Sequence, residues 1–364
     1  KIVSTRKVDN FMKPMNFEEV FAKGEVLPPP ICVEMSGNHQ GRKDSAIKFA
    51  RQAKLNGADF LKVQVYKPDT ITLESNKSDF RINSDNDWAS YETLYKLYSK
   101  AYTPWDWIKE IFEECTKIDL GIFASPFDHS AVDFLETLKC PAYKIASPEI
   151  TDISLIEYCA SKGKPVIIST GLADKIDLDL AINTINKFDV PYIILKCVSA
   201  YPTPIEDMNI STIPWLKDNY KCLVGLSDHS LGCEAAFAAT ALGSSLIEKH
   251  FKLPGDEVSV DSDFSMSLND LPQFKESIRN IHKSLGKTDL EVAQSAIPSL
   301  NGRRSLYISQ DIKKGEEFSL KNIKSVRPSY GLHPKFLQDI IGQKSNRNLQ
   351  KGERMNIDFL DTTN

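Results

Sequence analysis

The sequence predicts an α/β protein with a (β/α)8 TIM barrel and a small C-terminal α+β domain. First, short β-branched runs alternate with helical stretches from residue 31 onward, which is typical of a parallel sheet with right-handed crossovers. Second, eight such runs lie between residues 31 and 251, a length that suits a closed barrel of roughly 250 residues. A doubly wound open sheet is the alternative, but no G-x-G-x-x-G motif follows any of the runs.

Each predicted strand is a short apolar run bounded by polar or turn residues. The runs are ICVEMS (31–36), DFLKVQVY (59–66), LGIFAS (120–125), PAYKIAS (141–147), PVIIST (165–170), YIILKCVS (192–199), CLVGLSD (222–228) and SLIEKHF (245–251). Helix signals fill the segments between them, as in DSAIKFARQAKLNGA (44–58), where Asp44 is placed as the N-cap and Gly57 just beyond the end. The stretches 154–164 and 232–244 have the same character.

Four segments divide the chain. They are an N-terminal extension (1–30) with no predicted function, the catalytic barrel (31–286), a linker (287–301) and the C-terminal domain (302–364). The last segment has short strand-like pieces and no long helix, and its size is near the lower limit for independent stability. Within the barrel, segment 67–102 is too long for a bare connection, and long loops in compact domains are often functional.

Composition excludes several classes of protein. The 45 Lys+Arg and 49 Asp+Glu give a net charge of −4, which argues against a nucleic-acid binder. No apolar run approaches the roughly 20 residues that span a bilayer, and the N-terminus lacks the apolar region of a secretory signal. The seven cysteines are odd in number and form no C-x-x-C pair, which indicates a reducing, cytoplasmic compartment.

The predicted strands end in polar side chains, and chemistry in a barrel takes place at these ends because the loops converge there. Strand side chains alternate with period two, so Lys62 and Gln64 share the inward face. The same parity turns Ser227 with His229, and Glu248 with His250, toward the barrel interior. The polar strand ends are Glu34, Lys62, Gln64, Ser125, Lys144, Ser147, Glu149, Ser169, Ser199, Tyr201, Ser227, His229, Glu248 and His250.

Two of these residues suggest a metal. A lone histidine at a strand end is more often structural, but His229 and His250 end the neighbouring strands seven and eight. Since adjacent strands lie about 4.8 Å apart, both imidazoles can reach one divalent ion with open positions for substrate oxygens. The other four histidines are assigned local or structural roles, namely His39, His129, His282 and His333.

The inward lysines imply an anionic substrate or an unusual amine. Lys62 and Lys144 lie inside strands between apolar neighbours, where a charged group needs an anionic partner or a lowered pKa. A bound phosphate or carboxylate would be such an anionic partner. A lysine with a lowered pKa would instead suit the Schiff base of a class I aldolase. The hydroxyls of Ser125, Ser147, Ser169 and Ser227 favour the phosphate interpretation because they add hydrogen-bond donors.

The motifs as a set resemble the sialic acid (nonulosonate) synthase family. EMSGNHQG, KVQVYKPD, ASPFD, YKIASPE, ISTGLA, YPTPIEDMN, GLSDHSLG and IEKHF occur in the order found in that family. The C-terminal RRSLYISQDIKKGE and VRPSYGLHPKF resemble its antifreeze-like (SAF) domain. The resemblance covers about residues 31–360.

This resemblance implies a transferase that condenses phosphoenolpyruvate with an N-acetylated amino sugar, giving a nine-carbon α-keto sugar acid and phosphate. WASYETLYKLYSKAYTPWDW and VRPSYGLHPKF resemble the pseudaminic acid branch, whose sugar is 2,4-diacetamido-2,4,6-trideoxy-L-altrose. N-acetylneuraminate and legionaminate synthases, which share the chemistry, are the nearest alternatives. A non-catalytic sugar-binding or ice-binding protein is a remote one.

Family roles carry over residue by residue as implications of the resemblance. Glu34, Glu149, His229 and His250 match catalytic positions, and the two histidines would hold a divalent metal, Mn²⁺ with Mg²⁺ or Co²⁺ as alternatives. Phosphoenolpyruvate contacts fall on Lys62, Gln64, Ser125, Lys144, Ser147, Ser169 and Ser227. Sugar contacts fall on Tyr201, Asp261 and Arg327. Arg327 would come from the SAF domain of a partner, which implies a domain-swapped homodimer in which each SAF domain caps the neighbouring barrel.

Overall fold

The computed structural model describes residues 16–23, 26–83 and 88–361. It divides into two compact units, Lys1–Gly286 and Lys287–Asn364. The first unit alternates strands with helices, and the second has short strands and no long helix among its described residues. Part of the predicted N-terminal extension, residues 1–15 and 24–25, lies outside the described residues.

Eight parallel strands form the closed barrel that the sequence predicts. Each strand pairs with the next along the chain, and β1 also pairs with β8, which closes the sheet. The barrel strands are β1 Ile31–Glu34, β2 Phe60–Val65, β3 Gly121–Pro126, β4 Tyr143–Ile145, β5 Val166–Ser169, β6 Tyr192–Cys197, β7 Leu223–Asp228 and β8 Ile247–Lys252. A short strand, β9 Met266–Ser267, extends the sheet beside β8. Each of the eight predicted runs contains most of one barrel strand, so the fold prediction is confirmed.

Most of the helices follow the strands and cover the outside of the barrel, whereas α1 precedes β1, and α3 and α4 lie in the long segment after β2. They are α1 Phe17–Lys23, α2 Lys43–Leu55, α3 Pro68–Ile71, α4 Leu94–Ala101, α5 Trp105–Lys117, α6 His129–Thr137, α7 Ile153–Ala160, α8 Lys175–Asn186, α9 Thr212–Tyr220, α10 Glu234–Ala241 and α11 Leu271–Leu285. Apolar side chains from the strands and the inner helix faces form one continuous core. Burial of this apolar surface stabilises the barrel.

The start of α2 differs from the prediction. Arg42, not Asp44, occupies the N-cap position, and its backbone is extended. Asp44 lies in the first turn and forms an ion pair with Arg42, so its carboxylate is not available as a cap. Gly57 follows the helix with a φ of +93°, a left-handed conformation that glycine adopts without strain.

The N-terminal extension has a structural role that the sequence did not reveal. Phe17 of α1 is buried, and its ring stacks on Phe60 with the centroids 4.8 Å apart. It also contacts the edge of Phe123 at 5.1 Å. Since Phe60 begins β2 and shares the inward face with Lys62, α1 packs against the end of the barrel opposite the strand carboxyl ends.

The second unit has its own small core. β10 Ser305–Ile308 pairs antiparallel with β11 Ile323–Val326, and α12 spans Leu337–Ile340. The core side chains are Leu306, Ile308, Ile312, Phe318, Ile323, Ile340, Leu349 and Met355. In neither unit does a described helix combine the length and the hydropathy that crossing a bilayer requires.

Candidate active site

Lys62 is the centre of a buried ionic cluster inside the barrel. Its Nζ lies 3.0 Å from Glu34 Oε2 on β1 and 3.2 Å from Glu248 Oε1 on β8, and it donates to Ser125 Oγ over 3.3 Å. All four side chains are buried. Burial alone would lower the pKa of Lys62, but the carboxylates of Glu248 and Glu34 raise it above its ordinary value. Lys62 is therefore a fixed positive charge.

Lys144 from β4 reaches the same cluster, but its amine is farther from a carboxylate than that of Lys62. Its Nζ is 3.8 Å from Glu248 Oε1 and donates to the carbonyl oxygen of Ile145 over 3.3 Å. Burial lowers its pKa, and the charge of Lys62 adds to this effect. Ser227 of β7 donates to Glu248 Oε1 over 3.0 Å, so three strands converge on one carboxylate.

The two carboxylates of the cluster differ in their affinity for a proton. Burial raises the pKa of Glu34 despite its contact with Lys62. For Glu248 burial acts in the same direction, but Lys144 and Lys62 outweigh it and lower the pKa. Gln64 Nε2 supports Glu34 by donating to its Oε1 over 3.2 Å. Glu34 is thus the carboxylate that takes up a proton more readily.

Several buried polar atoms in this region have no hydrogen-bond partner among the described residues. They are Glu149 Oε2, Ser169 Oγ, Glu248 Oε2 and His250 Nδ1. Buried polar groups are nearly always satisfied in folded proteins, and an unsatisfied one costs about 1–3 kcal/mol. Their concentration at the carboxyl ends of the barrel strands therefore indicates a site for a polar ligand.

Glu149 lies in a short 3-10 helix, Ser147–Thr151, that follows β4. Burial raises the pKa of its carboxyl from 4.5 to about 7, although Lys144 opposes the shift. Its neighbour Ser147 accepts a hydrogen bond from the backbone N–H of Gly171 over 2.9 Å, which joins this turn to the end of β5. A carboxyl group with a pKa near neutrality suits proton transfer.

His229 and His250 meet at the mouth, as the sequence predicts from their places on neighbouring strands. Their ring centroids are 5.3 Å apart. The Nδ1 of His229 lies 2.9 Å from the carbonyl oxygen of Val198, so this nitrogen carries a proton, and Nε2 has the lone pair when the ring is neutral. Burial lowers the pKa of His229, but Cys197 and the Val198 carbonyl outweigh it and raise the pKa. Burial lowers the pKa of His250 well below its ordinary value, and His229 adds to the effect, so this imidazole is neutral.

The donor types of the histidine pair fit a divalent metal. One ring has its second nitrogen oriented by a backbone carbonyl, and the other has a buried nitrogen without a partner. Within the ranges that the structure describes, no group of three or more His, Cys, Asp or Glu side chains is arranged to hold a metal.

The predicted sugar contacts divide between the two units. The ring of Tyr201 lies 4.4 Å from His229 and 5.2 Å from Phe264. Asp261 is buried and accepts a hydrogen bond from the backbone N–H of Gly37 over 3.3 Å. Both line a cavity of about 470 Å³ together with Glu149 and His250. Arg327 is exposed in the second unit, and its contact with the sugar stays a prediction.

Sequence reasoning missed three contributors to the site. Glu248 was placed inward by strand parity but received no role, although it contacts both lysines. Ser36 accepts a hydrogen bond from Gln64 over 3.0 Å. Cys197 lies 3.7 Å from His229 Nδ1 and 3.5 Å from Ser147 Oγ. The EMSGNHQG motif was the available signal for Ser36, whereas nothing in the apolar pattern of β6 distinguished Cys197.

Two other histidines have the local roles that the sequence indicates. The Nδ1 of His39 accepts from the backbone N–H of Gly41 over 3.1 Å, and its Nε2 lies 3.2 Å from the carbonyl oxygen of Ala101. This contact fastens the loop after β1 to the end of α4. His129 contacts Ser154 near the surface.

Comparison with known proteins gives a consistent result. The NeuB family model matches residues 49–289, and the SAF domain model matches residues 303–353. Pseudaminic acid synthase from Campylobacter jejuni is 42% identical over 326 residues, which are 89% of this chain and 94% of the relative. N,N'-diacetyllegionaminic acid synthase from the same species is 31% identical over 331 residues, covering 89% of this chain and 97% of the relative.

A solved structure supports the same relationship. The crystal structure of N-acetylneuraminic acid (sialic acid) synthetase from Leptospira borgpetersenii superposes with a TM-score of 0.66 at 29% identity. The match covers 75% of this chain and 90% of that chain.

Proposed function

The chain belongs to the NeuB family, and from that premise we propose that it is a pseudaminic acid synthase. In this reaction phosphoenolpyruvate condenses with 2,4-diacetamido-2,4,6-trideoxy-L-altrose, giving a nine-carbon α-keto sugar acid and phosphate. The observation that carries the proposal is the buried cluster of Lys62, Lys144, Glu34 and Glu248 beside unpartnered polar atoms. Such a cluster suits an anionic enol ester that meets an electrophilic carbonyl.

Phosphoenolpyruvate binds where the two lysines lie. Lys62 and Lys144 supply positive charge, and Ser125, Ser147 and Ser169 add hydroxyls around it. In the free protein, Glu34 and Glu248 balance the lysines. When the anion enters, protonation of Glu34, whose pKa burial raises, leaves a net positive charge for the substrate.

The reaction joins two carbons and breaks one C–O bond. C3 of phosphoenolpyruvate forms a bond to the aldehyde carbon of the open-chain sugar, and the aldehyde oxygen takes up a proton. Water adds at C2 and loses a proton, and phosphate leaves with cleavage of the bond between C2 and the bridging oxygen. Glu149, whose carboxyl has a pKa of about 7, exchanges a proton with the reacting oxygens.

His229 and His250 are the residues that would hold the divalent metal, for which Mn²⁺ is our proposal with Mg²⁺ or Co²⁺ as alternatives. When bound, such an ion polarises a carbonyl oxygen as a Lewis acid. The chain's own contribution is to orient the ring of His229 through the carbonyl of Val198 and to keep the ring of His250 neutral through burial.

The sugar is the part of the proposal that depends most on the comparisons. Identity is higher to the pseudaminic acid synthase than to the legionaminic acid synthase of the same species. The N-acetylneuraminate and legionaminate reactions, which share the chemistry, are the rivals. Turnover with the three matching sugars, followed as phosphate release, separates them. The proposal expects the trideoxy sugar to give the highest kcat/KM by at least tenfold.

A class I aldolase is a second candidate because burial lowers the pKa of Lys144, which favours a neutral amine. The paired carboxylates around Lys62 oppose a Schiff base at that residue. Borohydride treatment with substrate present distinguishes the candidates. Covalent trapping at Lys144 would favour the aldolase, and full activity without trapping favours the synthase.

The proposal includes the oligomeric state of the protein and its location in the cell. The protein is a domain-swapped homodimer in which Arg327 of each SAF domain serves the partner's sugar site. Two observations support this assembly. The SAF domain model matches the second unit, and the small core of that unit is near the lower limit for independent stability. It is a cytoplasmic enzyme, which agrees with its seven free cysteines.

Phosphate release on mixing the purified protein with phosphoenolpyruvate and the trideoxy sugar tests the whole proposal. Release that requires both substrates supports a synthase. Sugar binding without release would instead favour the non-catalytic sugar-binding alternative.

A further inference from the structure

Ser36, just after β1, adopts a backbone conformation that its residue type disfavours. Its φ is +46°, in the left-handed region where a side chain crowds the backbone and glycine is the usual residue. Of the residues that the structure describes, it is the one non-glycine with a positive φ whose side chain is buried. It also lines the cavity of about 470 Å³ at the barrel mouth. A strained residue at such a place indicates a function for its side chain.

The turn that contains Ser36 is bound to the loop after β8, which keeps the strained conformation in place. The backbone N–H of Asn38 donates to the carbonyl oxygen of Met35 over 2.9 Å and closes the turn. The side-chain amide of Asn38 donates to the carbonyl oxygen of Phe251 over 2.7 Å and to Ser265 Oγ over 2.8 Å. Because these groups are buried, the turn cannot relax without losing their hydrogen bonds.

The N–H and the hydroxyl of Ser36 contact three side chains of the site. The N–H donates to Glu34 Oε1 over 3.0 Å. The hydroxyl oxygen accepts from Gln64 Nε2 over 3.0 Å, so the hydroxyl proton is the one that Ser36 donates to Asp261. Burial raises the pKa of Asp261, and the hydrogen bond from Ser36 opposes this rise.

These contacts join the two substrate regions of the proposed reaction. Glu34 belongs to the cluster around Lys62, where the proposal places phosphoenolpyruvate, and Asp261 belongs to the sugar region. The other donor to Asp261 is the backbone N–H of Gly37, at the longer distance of 3.3 Å. A carboxylate held by a single long hydrogen bond can rotate, whereas two donors fix its direction. The hydroxyl of Ser36 is therefore what determines how Asp261 faces the cavity.

We propose that Ser36 is a positioning residue that orients the Asp261 carboxylate toward the amino sugar. The inference rests on the proposed function and adds to it a residue whose hydroxyl serves the sugar and not phosphoenolpyruvate. A glycine at this position would form the same turn without strain, and it would lack only the hydroxyl. Since a hydrogen bond to a charged group contributes about 1.5–3 kcal/mol, its loss should raise the KM for the sugar about tenfold.

The test compares Ser36→Gly with Ser36→Ala in the full-length protein. Both variants lack the hydroxyl, but only the glycine variant relieves the backbone strain, so Ser36→Gly should unfold at a higher urea concentration than Ser36→Ala. Phosphate release should show the same increase of about tenfold in the KM for the sugar in both. The KM for phosphoenolpyruvate should stay unchanged, because the backbone N–H that holds Glu34 is kept.

Lys139→Gly and Lys139→Ala form the matched control pair. Lys139 also has a left-handed φ, of +54°, but it is exposed and precedes β4 at the end of the barrel opposite the mouth. The glycine variant of this pair should again be the more stable one, and the KM values for both substrates should equal those of the wild type.

The outcomes separate the inference from the proposed function. An unchanged KM for the sugar in the Ser36 variants, or equal increases in both KM values, would overturn the inference and leave the synthase intact. A loss in Ser36→Ala that Ser36→Gly does not share would also overturn it, because the effect would then follow the backbone and not the hydroxyl. If the alanine variant does not fold, the KM values of Ser36→Gly decide. No phosphate release by the wild type with any amino sugar would overturn the proposed function, and the inference with it.

Discussion

Lys249 of β8 donates from Nζ to Asp228 Oδ2 of β7 over 2.8 Å, and both side chains are buried on the helix-facing side of the sheet. Asp228 directly precedes His229, and Lys249 directly precedes His250. Lys249 also donates to the carbonyl oxygen of Ser230 over 2.6 Å, while Asp228 Oδ1 accepts from the backbone N–H and the hydroxyl of Ser230. The backbone of His229 is thus fixed from both sides.

This ion pair predicts a non-additive effect on stability. Lys249→Met should lower the free energy of unfolding by about 3–5 kcal/mol, because it leaves the Asp228 carboxylate buried without its counter-charge. The double variant Asp228→Asn, Lys249→Met should recover about 2 kcal/mol or more of this loss, because no uncompensated charge remains.

Urea unfolding of the two single variants and the double variant measures the coupling energy. Lys175→Ala is the control, since its partner pair with Asp179 is exposed and should contribute less than about 1 kcal/mol. Additive losses in the double variant would show that the two charges do not interact.

Glu149 predicts a pH dependence of stability. Its pKa is about 7 in the folded protein and 4.5 as the ordinary value, so the native state holds a proton that the unfolded chain releases between these pH values. The unfolding free energy should therefore fall as the pH rises from about 4.5 to 7, by up to about 3 kcal/mol from this group. Glu149→Gln should flatten the decline because the amide does not titrate.

The comparison is made by urea unfolding at several pH values, with Glu113→Gln as the control because Glu113 is an exposed residue of helix α5. The same pH slope in the Glu149 variant and in the wild type would contradict the assignment. A slower reaction in Glu149→Gln, by about 100-fold or more in kcat, is also expected if this carboxyl transfers the proton.

Sequence periodicity predicted the fold and much of the mouth, but not the pairing of charges. Period-two alternation placed Lys62 with Gln64, and His229 with the inward face of its strand, because each strand has only two faces. It could not show that Glu34 and Glu248 neutralise Lys62. Glu34 contacts Lys62 through the register of β1 with β2, and Glu248 comes close to both only because β8 closes the barrel against β1. Periodicity also did not predict the ion pair between Asp228 and Lys249.

The segment after β2 and the N-terminal helix show that sequence patterns also do not predict contacts that depend on tertiary packing. The length of segment 67–102 indicated a functional loop, but its apolar contribution to the cavity depends on tertiary packing of α3 and α4. Phe17 lies in a stretch with no strand or family motif, and only its stacking on Phe60 shows why it is buried.

His229 and His250 predict dependence on a divalent ion. His229→Ala should lower kcat by at least 1000-fold with an unchanged unfolding transition, and it should weaken binding of Mn²⁺ measured by calorimetry. His282→Ala is the control, because that histidine lies on the outer helix α11. Activity that survives exhaustive chelation in the wild type would rule out the metal assignment.

The proposed domain swap predicts complementation between inactive subunits. In a mixed dimer of Arg327→Ala and His229→Ala subunits, one of the two sites would carry neither substitution. About half of the wild-type activity per mixed dimer is therefore expected. A purified mixed dimer that stays inactive would show that Arg327 does not act across the interface.

Mass spectrometry of the products from phosphoenolpyruvate labelled with ¹⁸O at the bridging oxygen tests the central claim most directly. The protein, a divalent ion and 2,4-diacetamido-2,4,6-trideoxy-L-altrose should give a nine-carbon keto acid, with the label in the released phosphate. The reaction should require the cluster around Lys62, so Lys62→Met should give neither product. Release of pyruvate without a sugar adduct, or label retained in the sugar acid, would contradict the account.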